Sequence, residues 1–315
     1  MYNEFTFWII FSIIAAIIIV VDLYATEHRS GKIGLKRSLM WSGVWILTAL
    51  AFCIAIYFFL ERGHQRGLEF LTGYLIEYSL SVDNLFVFLM IFNVMGISQD
   101  NQPHVLKWGI LSAVVFRIIF ILIGVGLINM FHFVIYIFGF ILLYGSYKMA
   151  FGKDEEINLE KHPVVKLIRR YFNILPNYEG KNFFVKQNGI VYATPVFLTL
   201  LLIESSDIIF AVDSIPAVIA ITRDTFVIIT SNIFAILGLR ALYFTLSGLV
   251  DLFVYLKYGV ALILFYVGIK MMISNIFPIP TGISLAIIGF LLIGSIAFSL
   301  VKKKKHSENK ETSKK

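Results

Sequence analysis

Long apolar runs separated by short polar stretches set the rhythm of this chain. Nine of them predict membrane-crossing helices at about 5–25, 39–60, 70–95, 108–130, 133–151, 191–221, 226–247, 255–275 and 283–301. Most approach or exceed the roughly 20 residues that carry a helix across a ~30 Å hydrocarbon core. The chain is 58% hydrophobic and 15% charged, with a mean hydropathy of +0.83, and a soluble fold of 315 residues could not hide that much apolar surface from water. The expected fold class is therefore an all-α polytopic membrane protein with about nine transmembrane helices. The first run is read as a retained helix, because the residues before it carry Glu4 and no Lys or Arg, unlike a signal peptide.

Charge then orients the spans. The loops at one end (26–38, Lys107, 152–190, Lys257 and the tail) hold 20 Lys and Arg, against three at the other (Arg62, Arg66 and Arg223). The rule that basic loops stay inside places the N-terminus outside and the C-terminus in the cytoplasm. The net charge of +7 is thereby a topology signal, and nucleic acid is not an expected partner. Within the linker, Val164, Val165, Ile168, Phe172 and Leu175 recur at helical spacing opposite Lys166, Arg169 and Arg170, the pattern of a short interfacial helix on anionic lipid. The single cysteine, Cys53, rules out a disulfide within one chain.

An internal repeat organises the middle of the chain. Leu-Ser-Val-Asp-Asn-Leu (80–85) matches Phe-Ala-Val-Asp-Ser-Ile (210–215), pairing Asp83 with Asp213 and Asn84 with Ser214. Six residues upstream lie Glu77 and Asp207; further on, Arg117 pairs with Arg240, and Tyr-Gly-Ser-Tyr-Lys-Met (144–149) with Tyr-Val-Gly-Ile-Lys-Met (266–271). Each unit has three helices, so the second starts from the opposite side, which predicts an inverted repeat of the kind secondary transporters use. The expected organisation is a two-helix segment (1–69), repeat 1 (70–151), a cytoplasmic linker (152–190), repeat 2 (191–275), a last helix (276–301) and a basic tail (302–315).

Glu77, Asp83, Glu204, Asp207 and Asp213 fall inside the third and sixth spans, where each ionised carboxylate costs at least about 2.5 kcal/mol. Arg117 and Arg240 supply only part of the counter-charge, so a divalent cation, protons or both are expected there. The two arginines serve as structural staples or as counter-charges that occupy the acids when no ion is bound. At 100° per residue Glu77 shares a face with Asn84, and Asp207 with Ser214. Asp83, Asn84, Asp213 and Ser214 are expected deepest, with Glu77, Glu204 and Asp207 marking the route. Pro216 removes the usual hydrogen-bond donor to the Val212 carbonyl, predicting a free backbone oxygen beside Asp213. Asp22 is a candidate for the cytoplasmic entrance, and Lys148 and Lys270 for snorkelling anchors. All candidate ligands are hard oxygen donors, and the six histidines lie in loops, at span ends or in the tail. That set favours manganese, magnesium or calcium over zinc, copper or nickel without separating the first three. Export of a divalent ion against a negative-inside potential costs about 4.6 kcal/mol per 100 mV, so coupling to inward protons is expected. Neither a Gly-x-Gly-Asp nor a His-Glu-x-x-His motif is present, so an intramembrane protease, and an enzyme generally, is not the expected reading.

With these residues in view, the chain resembles the TerC/Alx family of bacterial integral membrane proteins, in the lysine-exporter-like superfamily. The resemblance is carried by 68–92, with Glu-Tyr-Ser-Leu-Ser-Val-Asp-Asn-Leu, by 203–222, with Glu-Ser-Ser-Asp-Ile-Ile-Phe-Ala-Val-Asp-Ser-Ile-Pro, and by 231–244, with Asn232 and Arg240. It implies manganese efflux across the cytoplasmic membrane, by exchange, under a historical label of tellurium resistance. It also implies metal ligation by Glu77, Asp83, Asn84, Glu204, Asp207, Asp213 and Ser214. The rival reading is a non-transporting scaffold of a metal or tellurite stress-response complex.

Overall fold

The computed structural model describes residues 3–27, 34–131, 133–152, 163–175, 180–187, 189–247, 256–274 and 276–312. Helices appear at every predicted span: α1 (Glu4–Glu27), α2 (Leu35–Phe59), α3 (Gly63–Val94), α4 (Gln102–Met130), α5 (Val134–Phe151), α7 (Pro195–Ile219), α8 (Thr225–Leu237) with α9 (Leu239–Ser247), α10 (Leu256–Ile273) and α11 (Thr281–Thr312). Among the described residues, seven helices are long and apolar enough to cross a bilayer, and eight if α8 and α9, bent by 40° at Gly238, form one broken span. The protein is an all-α polytopic membrane protein in its spanning part. Large apolar side chains point outward from these helices, among them Phe5, Leu47, Ile54, Phe58, Phe140 and Phe290. In a soluble protein such a girdle would be a liability; here it is the surface that lipid solvates.

The core is built round α8 and α3. Residues Phe226 to Leu237 of α8 are buried without exception, and α8 is surrounded by α1, α2, α3 and α4. Rings from four helices, Phe11, Phe52, Phe70 and Phe234, meet there at centroid separations of 5.0 to 6.1 Å, within the range of favourable edge and tilted contacts. The α2–α3 turn brings backbone so close that a Cβ on Gly63 would stand 2.3 Å from the Ile56 carbonyl oxygen. Only glycine fits there.

Helices α5 and α10 cross closely at small residues. A Cβ on Gly268 would lie 3.2 Å from the Gly139 carbonyl oxygen and 3.1 Å from Leu143. Seven residues along α5 from Gly139, the Ser146 hydroxyl donates to the Ala261 carbonyl at 2.8 Å. Small residues permit this approach of two backbones, which in lipid is a main source of helix association.

The linker departs from the all-α expectation. Helix α6 (Pro163–Tyr171) is followed by β1 (Asn173–Ile174), β2 (Phe184–Gln187) and β3 (Ile190–Ala193), a small sheet ordered β1-β3-β2. β2 and β3 form an antiparallel hairpin, and Gly189 between them has φ +82°, a backbone conformation glycine adopts without steric cost. The sixth span accordingly begins at Pro195, after Thr194 accepts a hydrogen bond from the Phe197 amide, and not at 191. Nor is α6 wholly given over to lipid: Val165 and Ile168 are buried, and the helix packs against α7 while Leu167 and Tyr171 stay exposed. The Val164 side chain lies outside the described residues.

Replacing Gly268 with leucine overpacks the α5–α10 crossing and is expected to cost about 1–3 kcal/mol. A fall in the thermal midpoint of the detergent-solubilised protein, larger than for Gly289→Leu, where a Cβ meets nothing within 4 Å, is the measurement.

Candidate functional site

A buried ion cluster joins α3, α4 and α7. α3 turns an unusual row of polar groups inward: Glu69, Thr72, Glu77, Ser79, Ser81 and Asn84 are all buried. α7 does the same with Glu204, Asp207 and Ser214. Between them stands Arg117 of α4, whose side chain is 1% exposed. Its Nη1 donates to Glu77 Oε1 at 2.8 Å and to the Ser214 hydroxyl, and its Nη2 lies 3.7 Å from Asp207 Oδ1. Ser81 also donates to Glu77 Oε1, at 3.4 Å. One guanidinium thus holds two carboxylates that occupy the same position in the two sequence repeats. A pair of ions so deep is stable only while its partners remain.

Glu204 lies outside that cluster. Its Oε1 accepts from Ser112 of α4 at 2.5 Å, a partner the sequence reading did not identify; Ser112 lies five residues, about a turn and a half, from Arg117 on the same helix. Among the described residues, Glu77 Oε2 and Glu204 Oε2 are buried without a hydrogen-bond partner. Such oxygens are costly to leave bare, and a cation or a proton is what would satisfy them.

Asp213 occupies a third place. Its carboxyl group lies against Gly145 of α5, 3.2 Å from where a Cβ would stand, and Lys148 one turn along is the cation whose field acts on it. Lys148, expected as an anchor, therefore has an acid of the other repeat beside it. Asn84 is buried at 4% exposure. The backbone of Asp83 belongs to α3, but its side chain lies outside the described residues, so the expected meeting of Asp83 with Asp213 does too.

Arg240 differs from its repeat counterpart. It is buried, and its Nη1 approaches the Asp22 backbone oxygen at 3.3 Å and Asp22 Oδ2 at 3.5 Å. The bend at Gly238, two residues earlier, falls at the position of Val115 in the continuous helix α4. Asp22, proposed for an entrance, is thereby a partner of the second arginine. α7 runs without interruption through Pro216 to Ile219, so the Val212 carbonyl that loses its usual donor to Pro216 lies within a continuous helix. One other expectation changes: Lys270 is only 6% exposed, with Glu69 the acid acting on it, and so does not snorkel. Among the described residues, no group of three or more His, Cys, Asp or Glu side chains is arranged to hold a metal ion.

Fold and site together define a multi-pass helical membrane protein with a charged, hydrogen-bonded core between two sequence-related helices. Residues 62–307 match the family described as Integral membrane protein TerC family, and the chain belongs to that family. It is 43% identical over 294 residues to a Salmonella typhi protein named "Putative membrane-bound redox modulator Alx", covering 91% of each chain. An Escherichia coli K12 protein of the same name is 42% identical over 293 residues, again 91% of each. A Myxococcus xanthus protein, "Uncharacterized membrane protein STKORF319", is 43% identical over 295 residues, 94% of this chain and 92% of that one. No solved structure matches.

Replacing Arg117 with methionine strands Glu77 and Asp207 and is expected to destabilise the protein by about 3–5 kcal/mol. The triple change Arg117→Met, Glu77→Gln, Asp207→Asn removes every stranded charge and is expected to recover most of that loss. Thermal unfolding of the four proteins (wild type, R117M, the acid double and the triple) reads the coupling.

Proposed function

We propose that this protein is a secondary transporter that exports a divalent cation, manganese, from the bacterial cytoplasm in exchange for protons. The observation that carries the reading is the sharing of Arg117 by Glu77 and Asp207, equivalent acids of two repeats, deep among spanning helices. In that arrangement a tethered cation stands between carboxylates that a free cation could claim. Glu204 and Ser112, nearer the cytoplasmic end of α7, are the approach to it; Asp213, Ser214, Asp83 and Asn84 complete the ligand set. All supply hard oxygen, the donor type for Mn²⁺, Mg²⁺ and Ca²⁺. Unpartnered carboxylate oxygens give protons somewhere to bind once the metal has left.

The nine-span, inverted-repeat organisation belongs to the same proposal, with the N-terminus outside and the cytoplasmic linker and tail within. It gains support from the α5–α10 crossing. In the repeat alignment Gly139 corresponds to Ala261 and Ser146 to Gly268, so the Gly139–Gly268 contact and the Ser146–Ala261 contact are images of one another. Two-fold exchange of the repeats is what such a pair reflects, and rocking of one repeat against the other is the motion it would allow.

The name borne by the relatives suggests a second reading, redox modulation. Cys53, the single cysteine, is buried with its thiol donating to the Gly67 carbonyl at 3.3 Å, and one thiol per chain cannot form an internal dithiol couple. Movement of a redox-active metal would modulate redox state without electron transfer by the chain itself.

Purified protein in liposomes loaded with manganese should release it, and Asp213→Asn or Asp83→Asn should abolish release without lowering the thermal midpoint. A trapped pH indicator should report protons entering as manganese leaves. Transport at the wild-type rate in both variants would refute the assigned site. Separately, manganese should raise the thermal midpoint of the purified protein and zinc should not, since only an ion that binds the folded state does so.

A further inference from the structure

We propose that the folded part of the linker is a lipid-reading brake: anionic headgroups of the facing leaflet hold α6 and its hairpin in a clamp across the ends of α4 and α7. The inference rests on the transport reading, whose placing of the linker in the cytoplasm puts this surface beside the anionic leaflet, and it adds regulation to the same site.

α6 is a helix with three sides. At 100° per residue Val165 and Ile168 lie about 60° apart and Leu167 and Tyr171 about 40° apart, while Lys166, Arg169 and Arg170 share an arc of about 100°. The first side is buried, and α6 packs on α7; the second is apolar yet open, with Leu167 58% and Tyr171 70% exposed. The third is basic and exposed. Lys181 and Lys186, before and within β2, are exposed too, and residues 163–175, 180–187 and 189–194 contain no Asp or Glu. An open apolar side next to a basic one, with no acid to oppose it, is the chemistry of a helix lying in an anionic lipid surface. Seating on α7 leaves both of those sides free for lipid.

The same segment bridges the two helices that carry the Glu204 contact. Phe183 packs its ring against His104 and Trp108 of α4 at centroid separations of 5.2 and 6.3 Å, and against Phe197 of α7 at 6.2 Å. Phe172, which follows α6, and Phe184 complete the cluster on Phe197 at 6.4 and 4.5 Å. Polar bonds fix it in place: Asn101 Nδ2, at the start of α4, donates to the Gly180 carbonyl at 3.2 Å, and the Thr194 hydroxyl, which caps α7, donates to the Asn182 carbonyl at 2.8 Å. Trp108 stands one turn from Ser112 and Phe197 two turns from Glu204, the pair whose hydrogen bond joins the same helices further in. Parting α4 from α7 at Glu204 therefore also opens the ring cluster around Phe183.

A ligand shifts an equilibrium toward the state it binds better. In the present arrangement α6 is seated, the Phe183 bridge is closed and both lipid-facing sides are presented. Anionic lipid favours that arrangement and slows the separation of α4 and α7 that lets an ion pass Glu204. Neutral lipid lacks the charge that holds the basic side, and the brake loosens.

The test uses the full-length protein in liposomes of phosphatidylcholine alone or with about one-third phosphatidylglycerol. A nitroxide attached at position 167 of the Leu167→Cys/Cys53→Ser protein should collide with oxygen more often than with an aqueous nickel chelate in the anionic liposomes, and the reverse in the neutral ones. The same preference in both compositions, for oxygen or for the chelate, overturns the proposal. In anionic liposomes, efflux of trapped manganese should be at least about threefold slower through wild-type protein than through the Lys166→Gln/Arg169→Gln/Arg170→Gln protein, whose substitutions leave the buried side of α6 intact. In neutral liposomes the two should release at one rate. Anionic liposomes attract manganese whichever protein they hold, so the comparison between proteins decides. Equal rates in anionic liposomes, a faster wild type there, or a difference that persists in neutral liposomes overturns the proposal. If wild-type protein moves no manganese in either composition, the transport reading falls, while the nitroxide still decides whether α6 docks on anionic lipid.

Discussion

A carboxylate in the middle of a bilayer must be neutralised, and much of this architecture follows from how that is done. Arg117 draws Glu77 and Asp207 together across two helices, and with them the faces of α3 and α7 that carry serine, threonine and asparagine. Those faces cannot look at lipid, so α3 is covered by α2, α7, α8, α9, α10 and α11, and the apolar faces of the outer helices become the exterior. The charge cluster is a constraint on packing before it is anything else.

That constraint also makes the cluster a poised element. A guanidinium between two acids is held by charge and hydrogen bonds against a strong desolvation cost, and any second cation changes the balance. The matching stretch of sequence supplies a second arginine, yet Arg240 reaches Asp22 on α1. Two stretches alike in sequence thus hold their arginines in different places. In the proposed transporter, asymmetry of this sort would distinguish one state from its mirror image.

The helices were legible in the sequence because hydropathy over some 20 residues integrates out local detail. The pairing of Glu77 and Asp207 with an arginine was legible too, because charge inside a membrane has few places to go. What sequence could not give was the partner: nothing in the chain distinguishes Arg117, which takes both acids, from Arg240, which takes neither. Glu69 was overlooked because it stands beside Arg62 and Arg66, where hydropathy reads loop, although α3 begins at Gly63. Lys270 was misread for the opposite reason: a lysine near a span end is usually solvated, and only tertiary packing shows that this one is covered. The hairpin before α7 was hidden by its own apolar strands, which merged with the helix that follows.

The position of α8 has a consequence for biogenesis. Every residue from Phe226 to Leu237 is enclosed by helices made mostly before it, α1 to α4. During synthesis those four helices enter the bilayer while the element at their centre is still unmade, and lipid or one another must occupy its place. The bundle therefore cannot close in the order in which it is translated: it waits, open, for a late keystone, and the final tertiary contacts of the oldest helices are among the last to form.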